Sequence, residues 1–139
     1  MDEIDYKILE VLRMDARVTN NDIAKRVKLT EGAVRNRIRR LVQSGVIRRF
    51  TIDTGPDQVE AIVLVKTGTR GSKEILKRIR KYTNRLFETA GEYDVAAHLT
   101  AENIQSVNTM VDRVRSVNGV ISTVTLLKIA DDQLSNARS

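Results

Sequence analysis

"EGAVRNRIRRLVQSGVIRRF", residues 31–50, carries six arginines against one acid, Glu31, while Val34, Ile38, Leu41 and Val42 recur at helical spacing. A run this basic and this regular predicts an amphipathic helix with one side for a core and the other for a polyanion. With those four apolar residues inward, Gly32, Ala33, Asn36, Arg39 and Arg40 fall on the far side, flanked by Arg35 and Arg37. Thr30 is placed to cap the helix and Ser44-Gly45 to end it near Gln43.

Two shorter helices precede it. Asp2 caps a segment whose Ile4, Ile8, Leu9, Val11 and Leu12 form one apolar side, and Thr19 caps NNDIAKRV, residues 20–27, with Ile23, Ala24 and Val27 inward. After the third helix, VIRRFTID, residues 46–53, alternates apolar and polar residues as a half-buried strand does. Three short helices and a strand over residues 1–52 predict a winged helix-turn-helix, whose third helix enters the DNA major groove.

Within that frame each residue type has a chemical role. Gly32 and Ala33 in the first turn let the helix approach base edges, Asn36 can pair bidentately with adenine, and arginine with guanine, so Asn36 and Arg40 are the expected base readers. Arg35, Arg37, Arg48 and Arg49 are expected on phosphates, which set position and affinity more than sequence preference. Thr30 and Arg39 complete the expected DNA-facing set. The competing reading is a solvated basic face, but the net charge of +6 is concentrated in residues 31–49 while the first helix is acidic. Aromatic residues are 4% of the chain and only Phe50 ends the basic stretch, which disfavours an RNA reader that stacks bases. The same helix would also serve a sequence-indifferent DNA-packaging protein.

DTGPDQV, residues 53–59, holds the single proline and reads as a linker. Residues 60–139 then follow the order βαββαβ: strands EAIVLVKT, RLFETA, YDVAAHLT and VISTVTLLKI, with helices SKEILKRIRKYT and ENIQSVNTMVDRVRSV. Two interleaved βαβ units predict an α+β, ferredoxin-like sandwich with both helices on one sheet face. AIVLV and VTLLKI are apolar on both sides, so the bare face is expected to pack on a second copy. The tail DDQLSNARS has no periodicity and is expected to fray.

The chain has no cysteine and one histidine, His98, so no thiolate or two-histidine metal site and no cofactor is expected, and His98 reads as structural or interfacial. Neither a signal peptide nor a membrane span is apparent, which predicts a cytoplasmic protein that does not enter the membrane.

Residues 4–50, "IDYKILEVLRMDARVTNNDIAKRVKLTEGAVRNRIRRLVQSGVIRRF", together with "GEYDVAAHLTAENIQSVNTMVDRVRSVNGVISTVTLLKI", resemble the Lrp/AsnC (feast/famine) transcription regulators over nearly the whole chain. The resemblance implies homodimers paired through the sheet domain, often assembling into octamers, and an amino-acid effector near the contact between dimers. It places the family's Gly-x-x-Asp turn on Gly91, Glu92, Tyr93 and Asp94, and its effector-contacting strand on Ser122, Thr123, Val124 and Thr125. An acid for the ammonium and hydroxyls for the carboxylate suit a free amino acid. The alternative is that Asp94 organises its turn and the threonines are ordinary strand residues. Glu60, Glu92, Asp94 and Glu102 together would favour a cationic amino acid. DTGPDQVEAIV is shorter than the connection in most members. Sirohaem decarboxylases are similar in architecture, but they need pocket histidines, and with His98 alone the chain is expected not to be an enzyme.

Overall fold

The computed structural model describes residues 1–55, 57–68 and 72–132. The chain divides into two compact units, Met1–Asp53 and Thr54–Ser139. Pro56, in the expected linker, and residues 133–139 of the expected frayed tail lie outside the described residues.

The first unit is three helices, α1 (Glu3–Met14), α2 (Asn20–Val27) and α3 (Glu31–Gln43). Each begins at a side chain that takes up an otherwise orphaned backbone amide. Asp2 accepts from Asp5 N and Asp5 returns a bond to Asp2 N, while Thr19 and Thr30 accept from Asp22 N and Ala33 N. Lys28, in the left-handed conformation at φ 57°, ends α2 and makes the tight turn into α3. Ile8, Ile23, Ala24 and Val34 form the buried centre, with Ile4, Val11, Leu12, Val27, Leu29 and Ile38 packed around it. Each fully buried aliphatic side chain here stabilises the fold by about 1.5–3 kcal/mol relative to exposure.

Two expectations for this unit are corrected. Val42, placed inward with Val34, Ile38 and Leu41, is 44% exposed, because the three-helix core closes at Leu41 and reaches no further along α3. Residues 46–53 form no strand. Ile47 N donates to Leu41 O, which folds the chain back on the end of α3, and no second strand pairs with the segment in this unit, so Phe50 and Ile52 stay exposed. The wing is an irregular extended segment.

The second unit contains β1 (Val59–Thr67), α4 (Lys73–Arg80), β2 (Arg85–Glu88), β3 (Val95–Ala101), α5 (Ile104–Arg115) and β4 (Val120–Leu127). The strands form one antiparallel sheet in the order β2-β3-β1-β4. Ala61, Val63 and Val65 of β1 and Val95, Ala97 and Leu99 of β3 pack against Ile75 and Ile79 of α4 and Val107, Val111 and Val114 of α5. Both helices therefore cover one face. Alternation sends Ile62, Leu64, Ala96, Val124, Leu126 and Phe87 to the other face, which neither α4 nor α5 covers. Gly119, at φ +100°, turns α5 into β4 so close to α4 that a Cβ there would lie 2.5 Å from Ile75 Cδ1.

Candidate nucleic-acid interface and ligand site

The buried Val34 and Leu41 fix how α3 is rolled. Gly32, Arg35, Asn36, Arg39 and Arg40 consequently lie exposed, with Ala33 half-buried beside them. Arg48 and Arg49 are exposed in the segment after α3. Asn36 Oδ1 lies 3.5 Å from Arg39 Nη1, too long to immobilise either side chain. Arg35 is engaged by Glu31 one turn back, which draws the Glu31 carboxyl below its ordinary range and raises the guanidinium.

Arg37 sits differently from its neighbours. Its side chain is 19% exposed, and Nη1 donates to Asp2 Oδ2 at 2.6 Å and Asp5 Oδ1 at 2.9 Å. Those two carboxylates are also the capping box of α1, so one guanidinium ties the start of α1 to the middle of α3. The hydrogen bond from Arg37 is the main reason that the Asp2 carboxyl is held down at about 2. Expected among the phosphate contacts, Arg37 is instead taken up within the unit. Thr30, also expected to face DNA, spends its hydroxyl oxygen on the α3 cap.

In the second unit the Gly91 to Asp94 turn joins β2 to β3. Thr89 N donates to Asp94 O, Thr89 Oγ1 donates to Tyr93 O at 2.7 Å, and Asp94 N donates to Val65 O, so the turn is closed on itself and on β1. Gly91 adopts φ +136° and Glu92 is exposed. The Asp94 carboxylate points to the end of β1, where Oδ2 accepts from Thr67 N at 2.8 Å and Thr67 Oγ1 at 3.1 Å. Thr67 was not foreseen: its partner is 27 residues away, and no local pattern signals it.

Beside this turn lies a small, partly open pocket lined among the described residues by Thr67, Ser72, Ile75, Glu88, Asp94 and Val95. The four β4 residues split between faces. Ser122 and Val124 pair with Lys66 and Leu64 on the open face, whereas Thr123 and Thr125 pair with Val65 and Val63 on the helix side. Val65 pairs with both Val95 and Thr123, so β1 stands between the Asp94 turn and β4, a separation of about 10 Å across two strand spacings. Thr123 Oγ1 accepts from Arg115 Nε at 2.9 Å. Thr125 Oγ1 is buried with no hydrogen-bond partner among the described residues.

The four acids that would favour a cationic ligand are not brought together. Glu60 is on the open face near the far end of β1, where Oε1 accepts from Lys128 Nζ at 2.8 Å and Oε2 lies 2.9 Å from His98 Nε2. Lys128 and then His98 hold the Glu60 carboxyl below its ordinary range. Glu102 follows β3 at that same end, away from Glu92 and Asp94. His98 thus belongs to a polar cluster on the rim of the open face. Among the described residues no group of three or more His, Cys, Asp or Glu side chains is placed to hold a metal, and no helix is long and apolar enough to cross a membrane.

Comparison with known proteins supplies the decisive observation. Residues 1–48 match the winged helix-turn-helix DNA-binding family. The chain is 45% identical over 127 residues to the HTH-type transcriptional regulator LysM of Sulfurisphaera tokodaii, covering 88% of this chain and 91% of that protein. It is 33% identical over 133 residues to the HTH-type transcriptional regulator FL11 of Pyrococcus furiosus, covering 91% and 88%. The chain belongs to the Lrp/AsnC family of transcriptional regulators. Its relatives are DNA-binding regulators rather than enzymes, and the sirohaem-decarboxylase alternative falls with that. The fold is shared with E. coli AsnC at TM-score 0.73 and 19% identity, covering 94% and 93% of the two chains. It is also shared with a transcriptional regulator from Neisseria meningitidis solved in complex with L-Met, at TM-score 0.74 and 23% identity, covering 96% and 92%.

Proposed function

We propose that this Lrp/AsnC regulator reads its operator with Asn36 and Arg40, grips flanking phosphates with Arg39, Arg48 and Arg49, and adjusts DNA binding or assembly to an amino acid. The observation that carries the DNA half is the exposed Asn36, Arg39, Arg40 side of α3, opposite the buried Val34 and Leu41, with Gly32 leaving the first turn free to approach base edges. Arg35 is a weaker candidate because Glu31 already neutralises it. Asn36→Ala and Arg40→Ala are each expected to cost roughly 1–3 kcal/mol on the selected site and less on random duplex. Equal losses on both duplexes would favour a sequence-indifferent packaging protein. The test is selection of a site from a randomised duplex pool, followed by titration of wild type and variants.

For the effector, β1 separates the Asp94 turn from Thr123 and Thr125 within one chain. The reading that fits is a site completed by a second copy, with the open sheet face forming the homodimer and further contacts building larger assemblies such as an octamer. Exposed Phe87, Val124 and Leu126 on that face support the pairing. A thermal-shift screen of the twenty amino acids tests the effector, because a ligand at 100 times its dissociation constant stabilises the folded state by about 2.7 kcal/mol. Sedimentation showing a folded monomer at micromolar concentration would overturn the dimer.

A further inference from the structure

Outside the helix-turn-helix, the strongest concentration of charge is on α4 and the residue that ends it. Ile75 and Ile79 are buried against the sheet and set the roll of the helix. At 100° per residue, Lys73, Lys77, Arg80 and Lys81 then fall within one stripe, directly opposite that buried side. All four are exposed, and none has an ion-pair partner among the described residues. The helix's only acid, Glu74, lies at the edge of the stripe, next to Lys81 on the helical wheel, and is paired with Arg78 at 3.3 Å.

Helix polarity does not account for this arrangement. Cations in the last turn complement the helix dipole, but Lys73 opens the helix, where a cation is disfavoured. Helix α5 is the internal comparison. It packs on the same sheet face, and its outward side, with Gln105, Asn108, Thr109 and Asp112, carries a single cation, Arg113, which lies over the Tyr82 ring. A generally basic surface would have charged both helices.

We infer that the α4 stripe is a second contact for the phosphate backbone of duplex DNA, separate from the surface that reads bases. This rests on the reading of the first unit as DNA-binding. Eight residues of helix extend the stripe about 12 Å, long enough to meet about two or three phosphates. Duplex is the favoured polyanion because a chain already bound through α3 holds more of the same duplex at high effective concentration. An anionic membrane fits poorly, since the outward side of α4 has no large apolar residue to insert beside its cations. Single-stranded RNA fits poorly for want of aromatic residues on that side.

The test uses the full chain and a mixed-sequence duplex of about 60 base pairs, titrated across a salt series. The variant Lys73→Gln, Lys77→Gln, Arg80→Gln, Lys81→Gln is expected to lower the slope of log affinity against log salt by about two to three units and to weaken binding about tenfold. The charge-preserving variant Lys73→Arg, Lys77→Arg, Arg80→Lys, Lys81→Arg should restore the wild-type slope. Unchanged circular dichroism and melting confirm that the fold is intact. If Arg40→Ala weakens binding while the glutamine variant keeps the full wild-type slope, the α4 contact is overturned and the helix-turn-helix reading stands. Wild type failing to bind duplex at all overturns both. Loss of binding to phosphatidylserine vesicles with an unchanged DNA slope also overturns it, in favour of a membrane surface.

Discussion

Replacing Asp94 separates two roles that the structure superimposes on one side chain. Its carboxylate accepts from both the backbone amide and the hydroxyl of Thr67, closing the end of β1 against the β2-β3 turn. Asp94→Ala removes the one oxygen, Oδ2, that accepts both bonds. A hydrogen bond to a charged acceptor contributes about 1.5–3 kcal/mol, and a partly buried amide left unpaired costs about 1–3 kcal/mol, overlapping quantities that together predict a loss of about 2–4 kcal/mol. Asp94→Asn keeps a carbonyl oxygen for Thr67 and loses only the charge, so a loss nearer 1 kcal/mol is expected. Urea denaturation of both variants measures the difference, and thermal melting should show it as a shift of about 4–8 °C per kcal/mol for a unit of this size. An alanine variant within about 0.5 kcal/mol of wild type would refute the structural role, because surface changes away from specific features fall in that range. The effector role is read separately, in the amino-acid thermal-shift screen. If the carboxylate meets the ligand's ammonium, the asparagine variant stays folded and loses the ligand-induced shift. An asparagine variant that keeps the shift in full places the ligand elsewhere.

Three further outcomes follow from the geometry. Gly119→Ala should destabilise the second unit by about 2–4 kcal/mol in urea titrations, since it combines an unfavourable positive φ with a Cβ driven into Ile75. Arg37→Gln should lower the melting temperature of the first unit yet leave the salt slope of DNA binding unchanged, because its guanidinium is held by Asp2 and Asp5; a slope reduced by about one unit would return Arg37 to the phosphate contacts. Glu60 has a carboxyl lowered in the folded state by Lys128 and His98, so its contribution is fully present above the ordinary glutamate value of 4.5 and is lost as pH falls through the lower folded value. Glu60→Gln should therefore flatten the acid side of the stability curve by under about 1 kcal/mol, read by melting across pH 2 to 6.

The helices were legible in the sequence because their punctuation is local. Thr19 and Thr30 mark the starts of α2 and α3, and each bonds an amide three residues on. The βαββαβ order was legible from periodicity, and pairing then places Val63 and Val65 inward and Ile62 and Leu64 outward. The wing was not legible in the same sense. Alternation in residues 46–53 describes how a strand would divide its faces, but a strand also needs a partner for its backbone, which alternation cannot supply. The partners of Arg37 and Asp94 were hidden for a related reason. They lie 35, 32 and 27 residues away, so the sequence showed neither the Asp2 and Asp5 contacts of the one nor the Thr67 contact of the other. The α4 stripe is fully present in the sequence, where cations recur at helical spacing at positions 73, 77, 80 and 81.

Linkage constrains how an effector can act. Ile8, Ile23, Ala24 and Val34 form the core that carries α3, and the sheet unit has its own core around Val63, Val65 and Ile79. If the proposed effector meets the Asp94 turn, its influence can enter as a preference between assemblies. A ligand with equal affinity for two states shifts nothing, however tightly it binds, so the site must differ between those assemblies. A site completed by a second copy, as proposed above, has that property. DNA affinity would then change through the number and spacing of α3 helices offered to one duplex. Joining two DNA-binding units raises overall affinity by about 10² to 10⁴ when both reach their half-sites and by nothing when they do not. A coupling of 1–3 kcal/mol, the usual size for allosteric pairs, is about 5- to 150-fold and lies within that range without any change in α3 itself.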